Sequence, residues 1–88
     1  MIYSTFLDRF KIEKFNVHLR METFTLEGEY IHLIQLLKAM NWVENGAHAQ
    51  EVVVEGQVKY NGQTDYRKRL KVRKGDLVEY EGKEVRVI

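Results

Sequence analysis

From Arg67 to Lys74 six of eight residues are cationic: Arg67, Lys68, Arg69, Lys71, Arg73 and Lys74. So dense a run offers a local field for phosphate oxygens, and arginine can fork onto one of them bidentately. Lys59 lies a few residues upstream, among polar side chains suited to phosphate oxygens and hydroxyls: Gln57, Asn61 and Gln63, with the backbone amides near Gly62. A second polar group, Asn45, Gly46, His48 and Gln50, stands earlier in the chain. As a neutral imidazole His48 offers hydrogen bonds and little charge. The chemistry these residues share is anion binding.

The distribution of charge supports that reading better than its total, which is only +1. Residues 1–20 hold four cations and two anions, residues 21–55 hold Lys38 against six glutamates, and residues 56–88 hold nine cations against five acids. A basic end on a near-neutral protein points to a localised face, not to a generally adhesive surface.

Composition narrows the classes of function. Eighty-eight residues make one domain with a modest core, too small for a deep substrate cleft. The three histidines, His18, His32 and His48, have no metal-ligand spacing, there is no cysteine, and no Ser/His/Asp set is compact, so no enzyme, cofactor or metal site is expected. The longest apolar region, Ile31 to Val43, is broken by His32, Gln35, Lys38 and Asn41, which argues against a membrane span. No basic-then-apolar block opens the chain, so no secretory signal is expected and the cytoplasm is the expected compartment.

The elements that must position these residues can be read from periodicity. Residues 1–20 connect to nothing by cap or turn and read as an N-terminal arm or extension, or as an upstream start, with Met21 opening a complete small domain over 21–88. Thr23 to Leu26 alternates like a short edge strand, and Glu27-Gly28-Glu29 is a turn. Tyr30 to Met40 carries a broad helical stripe, with Trp42 and Val43 as apolar plugs behind it. Asn45 can cap a second helix from Ala47 to Glu55, whose stripe is Ala49, Val52 and Val53. Three consecutive valines would also suit a strand, but the alanines before them and Gly56 after them favour a helix. Val58 and Tyr60 have strand spacing, and Asn61-Gly62 supplies a type I′ turn. If Arg67 to Lys74 is extended throughout, Leu70 and Val72 reach the core while Arg67, Arg69, Lys71 and Arg73 face outward. Lys74-Gly75-Asp76 turns the chain into a last hairpin, Leu77–Tyr80 and Glu84–Ile88, with Val78 and Tyr80 facing Val85 and Val87.

Ala49-x-x-Val52-Val53-x-x-Gly56-x-Val58-x-Tyr60-Asn61-Gly62, followed by Lys74-Gly75-Asp76, resembles the S4 RNA-binding domain. The resemblance covers roughly residues 30–80. Within that group the whole of 21–88 is similar to the small stand-alone bacterial proteins of the YbcJ/YaaA type, through its TFxL start, leucine-rich first helix, Gly-Ala-x-Ala entry and Arg-Lys-Arg run. It implies an α+β fold of two packed helices followed by a small twisted, mostly antiparallel sheet. It also implies structured RNA, ribosomal above all and possibly transfer RNA, as the partner in a ribosome-related process, with ribosomal proteins nearby. Most of the wider group has Ser-Arg where this chain has Asn45-Gly46, and cations where it has Gln50 and Glu51.

Structured RNA presents phosphates and 2′-hydroxyls across a wide, shallow groove, so shape and backbone contacts dominate its recognition. The resemblance implies an RNA face formed by the second helix's N-terminal end and the strands and turns after it, so the expected RNA-contacting set is Asn45, Gly46, His48, Gln50, Gln57, Lys59, Asn61, Gly62, Gln63, Arg67, Lys68, Arg69 and Lys71. Tyr66 adds a ring able to stack on an exposed base. The competing reading is a protein-interaction adaptor that uses the acidic first helix and the aromatic arm.

Overall fold

A computed structural model describes residues 21–88. The expected arm over residues 1–20 lies outside the described residues. The elements run β1 (Met21–Phe24), β2 (Ile31–His32), α1 (Leu33–Ala39), α2 (Gly46–Val54), β3 (Val58–Tyr60), β4 (Gln63–Thr64), β5 (Lys71–Val72), β6 (Leu77–Tyr80) and β7 (Lys83–Val87). The fold is α+β, with the two helices packed together ahead of most of the sheet, as the residue pattern and the resemblance imply.

Five strands form one sheet in the order β1-β7-β6-β3-β4, and β2 pairs with β5 in a separate two-stranded ribbon. Among the described residues every pairing is antiparallel except β1 with β7. The edge strand expected over Thr23–Leu26 lies two residues earlier, at Met21–Phe24. Leu26 is buried beyond its end, with its amide bonded to the Ile88 carbonyl at 2.8 Å.

The first helix is shorter than its stripe predicts. Tyr30 precedes it, and Ile31 and His32 pair with Val72 and Lys71. The Leu33 amide donates to the Leu70 carbonyl at 2.8 Å, so tertiary strand pairing takes the residues that local periodicity assigned to a helical turn. At the other end Asn41 adopts a φ of 59°, while the Asn41 and Trp42 amides return to the Lys38 and Leu37 carbonyls. That is a Schellman closure with asparagine in the left-handed position.

The second helix begins where its cap was expected. The Asn45 side chain accepts the His48 amide at 2.9 Å, and His48 Nδ1 accepts the Glu44 amide at 3.2 Å. Gly56, with a φ of 77°, ends the helix in a second Schellman closure, its own amide returning to Val53 and that of Gln57 to Val52. A Cβ at Gly56 would lie 2.9 Å from the Tyr66 ring, so this glycine serves both a left-handed turn and a close approach.

Leu33, Leu36 and Leu37 of α1 and Ala49, Val52 and Val53 of α2 meet Val58, Val78, Tyr80, Val85 and Val87 from one face of the sheet. Truncating any of the fully buried leucines to alanine is expected to cost ~2–5 kcal/mol. In the last hairpin Val78 stands opposite Val85 and Tyr80 opposite Lys83. Its loop is two residues long, Glu81 and Gly82 at φ 52° and 78°, so Lys83 belongs to the strand. Asn61 and Gly62, at φ 50° and 90°, form the expected type I′ turn. No helix among the described residues is long and apolar enough to cross a membrane.

Candidate functional site

Leu70 and Val72 are buried, and they hold the cationic segment against the body of the protein. All six cations from Arg67 to Lys74 are exposed. The segment is not extended throughout: Lys68 and Arg69 form a turn, with the Leu70 amide 3.3 Å from the Arg67 carbonyl, and regular pairing is confined to Lys71–Val72. Strand alternation therefore does not set the facing of Arg67, Lys68 and Arg69. Arg67, Arg69 and Lys71 line an open groove over Leu70.

These cations are not equivalent. Arg67 forks onto Asp65, Nε to Oδ1 at 2.9 Å and Nη2 to Oδ2 at 2.7 Å, and its amide also donates to Oδ1 at 3.0 Å. The side-chain bonds from Arg67 outweigh partial burial and hold the Asp65 carboxyl below the ordinary carboxylate range. Lys71 and Arg73 are drawn over the ring of Tyr30, at 4.8 and 5.8 Å from its centroid, and His32 lies 5.4 Å from the same ring.

A single carboxylate fixes the turns beside this segment. Asp76 Oδ2 accepts the Tyr60 hydroxyl at 2.6 Å and the Arg73 amide at 2.8 Å, while Oδ1 accepts Asn61 Nδ2 at 3.3 Å. Asn61 Oδ1 in turn accepts the Leu77 amide at 2.8 Å. The Asn61-Gly62 turn, the Lys74-Gly75 turn and the backbone of Arg73 are thus locked to one another. Partial burial opposes ionisation of Asp76, but the bonds from Tyr60, Arg73 and Asn61 and the charge of Arg73 outweigh it, so its pKa lies below the ordinary value. Burial, followed by the bond to Asp76, pushes the Tyr60 hydroxyl up.

The remaining polar residues fall into other surroundings. Asn45 and His48 are engaged with each other at the start of α2, beside Gly46, and a Cβ at Gly46 would lie 4.0 Å from the Lys38 ammonium. Gln50 is exposed on α2 and Gln63 on the edge strand β4. Gln57 and Lys59 line a different groove, shared with Glu79, Glu81 and Glu84, where Gln57 also donates to Glu55 at 2.6 Å. In that groove burial, then the hydrogen bond and charge of Glu84, pushes the Glu79 carboxyl up, and Lys59 moderates the shift. Among the described residues no group of three or more His, Cys, Asp or Glu is disposed to hold a metal ion.

A model of the S4 domain matches residues 24–88. The chain belongs to the S4 domain family. YbcJ of Escherichia coli K12 is 41% identical over 69 residues, spanning 77% of this chain and 99% of that one, and a YbcJ protein of Shigella flexneri matches equally. The solution structure of E. coli YbcJ, described as revealing an alfaL motif involved in RNA binding, superposes with a TM-score of 0.62 at 40% identity. That match covers 78% of this chain and 89% of that one.

In this S4 protein sequence reasoning missed three features of the basic face. Tyr30 reads as one more apolar residue on a helical stripe, and only the β2–β5 pairing brings it to Lys71 and Arg73. Asp65 lies two residues before Arg67, a spacing that could have flagged the ion pair. Asp76 reads as a turn residue in Lys-Gly-Asp, whereas its contacts to Tyr60 and Asn61 span fifteen or sixteen residues.

Proposed function

We propose that the protein binds structured RNA through the surface built from Arg67 to Lys74, and that it is a binding module, not an enzyme. The observation that carries this reading is the segment itself: six exposed cations on a short stretch anchored by buried Leu70 and Val72. Lysine and arginine in such a surface attract phosphates whatever the sequence, so contacts to backbone and shape dominate. The RNA-binding motif described for YbcJ supports RNA as the polyanion.

Lys68, Arg69 and Lys71 are the principal phosphate contacts in this proposal, because Arg67 is already paired with Asp65. Asn61 and Gly62 act chiefly by shaping the turn that Asp76 secures. Asn45, Gly46 and His48, with Lys38 beside them, form a second contact point near α2, and Gln50 and Gln63 extend the surface. Gln57 and Lys59 are peripheral to it, since three glutamates share their groove. Ribosomal RNA is the proposed partner, transfer RNA the second class, and a ribosome-linked process in the cytoplasm the setting.

The test is fluorescence anisotropy of the full chain with fragments of ribosomal RNA, transfer RNA and duplex DNA of matched length. Tighter binding of one of the RNAs than of DNA is expected. Binding of no nucleic acid would replace this reading with the adaptor one.

A further inference from the structure

Tyr30 borders two surfaces at once. It is 40% exposed, and Lys71 and Arg73 stand over its ring. It also lines an open groove with Phe24, Thr25, Leu26, Glu27 and Ile31. Ile31 and Phe24 pack against the core, whereas the exposed Tyr30 is not part of it. An aromatic ring that lines an open groove and has two cations over it suits a ligand with a flat face and an adjoining anion.

We infer that this is a site for one unpaired nucleotide, its base in the groove against Tyr30 and its phosphate on Lys71 and Arg73. The inference rests on the RNA reading above and adds a preference within RNA. Every base offers a π face to an aromatic side chain, and arginine adds a cation–π contribution. A nucleotide in a continuous duplex keeps its base stacked and paired, so it offers the site only its backbone. Glu27, on the groove wall, fixes the orientation. Its carboxylate repels a phosphate and can accept from the N–H groups of a base edge, which leaves the phosphate on the side of Lys71 and Arg73.

Three RNA hairpins with one common stem test this: one fully paired, one with a single bulged 2-aminopurine, and one with an abasic nucleotide at the bulge. The full chain is expected to bind the 2-aminopurine bulge between about 5-fold and 150-fold more tightly than either of the others, the range for one base stacked on an aromatic ring. The fluorescence of the 2-aminopurine should fall on binding as the base stacks. Tyr30→Ala should narrow the gap between the hairpins, and Tyr30→Phe should keep it. Equal affinity for the base-bearing and abasic bulges, with unchanged fluorescence, would overturn the nucleotide site while leaving duplex-backbone binding intact. That comparison uses the unaltered protein, so it stands whatever Tyr30→Ala does to folding. If none of the hairpins binds, the RNA reading itself fails and the nucleotide site falls with it.

Discussion

Replacing Asp76 isolates the contact that ties the two glycine turns together. Its Oδ2 receives the Tyr60 hydroxyl at 2.6 Å and the Arg73 amide at 2.8 Å. Hydrogen bonds to a charged acceptor contribute ~1.5–3 kcal/mol and those to a neutral one ~0.5–1.5 kcal/mol. In Asp76→Asn the amide oxygen can keep both short bonds while losing the charge, a cost of about 1 kcal/mol per bond; the long, exposed bond from Asn61, which an amide nitrogen cannot accept, adds little, so the total is ~2 kcal/mol. Asp76→Ala leaves the hydroxyl and the amide without this partner. Solvent reaches the edge of the site, so the expected loss is ~2–4 kcal/mol and not the sum of two full desolvation penalties. At ~4–8 °C per kcal/mol for a domain of this size, Asp76→Asn should lower the melting temperature by ~8–16 °C. The pKa of Asp76 lies below the ordinary carboxylate value. Its contribution is therefore complete above about pH 4 and lost as pH falls through the lowered folded-state value. The gap between wild type and Asp76→Asn should close on acidification. Thermal melts followed by circular dichroism at pH 7 and in steps below pH 4 measure both effects. An Asp76→Ala protein within ~0.5 kcal/mol of wild type at pH 7 would show that Asp76 does not lock the two turns.

Gly56→Ala is expected to cost ~1–2 kcal/mol in urea denaturation, the penalty of a left-handed alanine, since the exposed Tyr66 ring beside it can swing away. The same loss in a Tyr66→Ala background assigns the cost to the backbone, and recovery there assigns it to the clash. Glu79→Gln should give a protein more stable than wild type at pH 8. The raised pKa of Glu79 means its stabilising contribution is present below about pH 4.5 and lost as pH rises through the folded-state value. Melts at pH 8 and pH 4 check this, and a wild type more stable than the variant at pH 8 would contradict it.

The parts of the fold legible in the sequence are those fixed by local geometry. Asn45 as a cap, Gly56 as a helix end and Asn61-Gly62 as a type I′ turn each follow from backbone preferences of one or two residues. The inward set Val78, Tyr80, Val85 and Val87 follows from alternation, and Leu70 and Val72 are buried as expected even though the chain around them turns. What was not legible depends on partners distant in sequence. The parallel pairing of Met21–Phe24 with Glu84–Val87 joins the two ends of the described residues and leaves no local trace. The β2–β5 ribbon is two residues long, too short to show a period, so Tyr30, Ile31 and His32 passed as helix. At the candidate site the cationic run itself was plain. The inequality of its members was less so: the Asp65–Arg67 pair is local and its spacing could have shown it, whereas the fold alone brings Tyr30 to Lys71 and Arg73, and Tyr60 and Asn61 to Asp76.

The salt dependence of RNA binding reports directly on whether the exposed cations meet phosphates. In Lys68, Arg69 and Lys71 changed together to glutamine, each substituted side chain is exposed, so the fold should remain, as circular dichroism can verify. Each cation that neutralises a phosphate contributes about 0.7–0.9 to the slope of log affinity against log salt. The triple variant should therefore show a slope shallower by roughly 2–3 units, with the largest loss of affinity at low salt. A folded triple variant that binds the same RNA with unchanged affinity and unchanged slope would contradict the account.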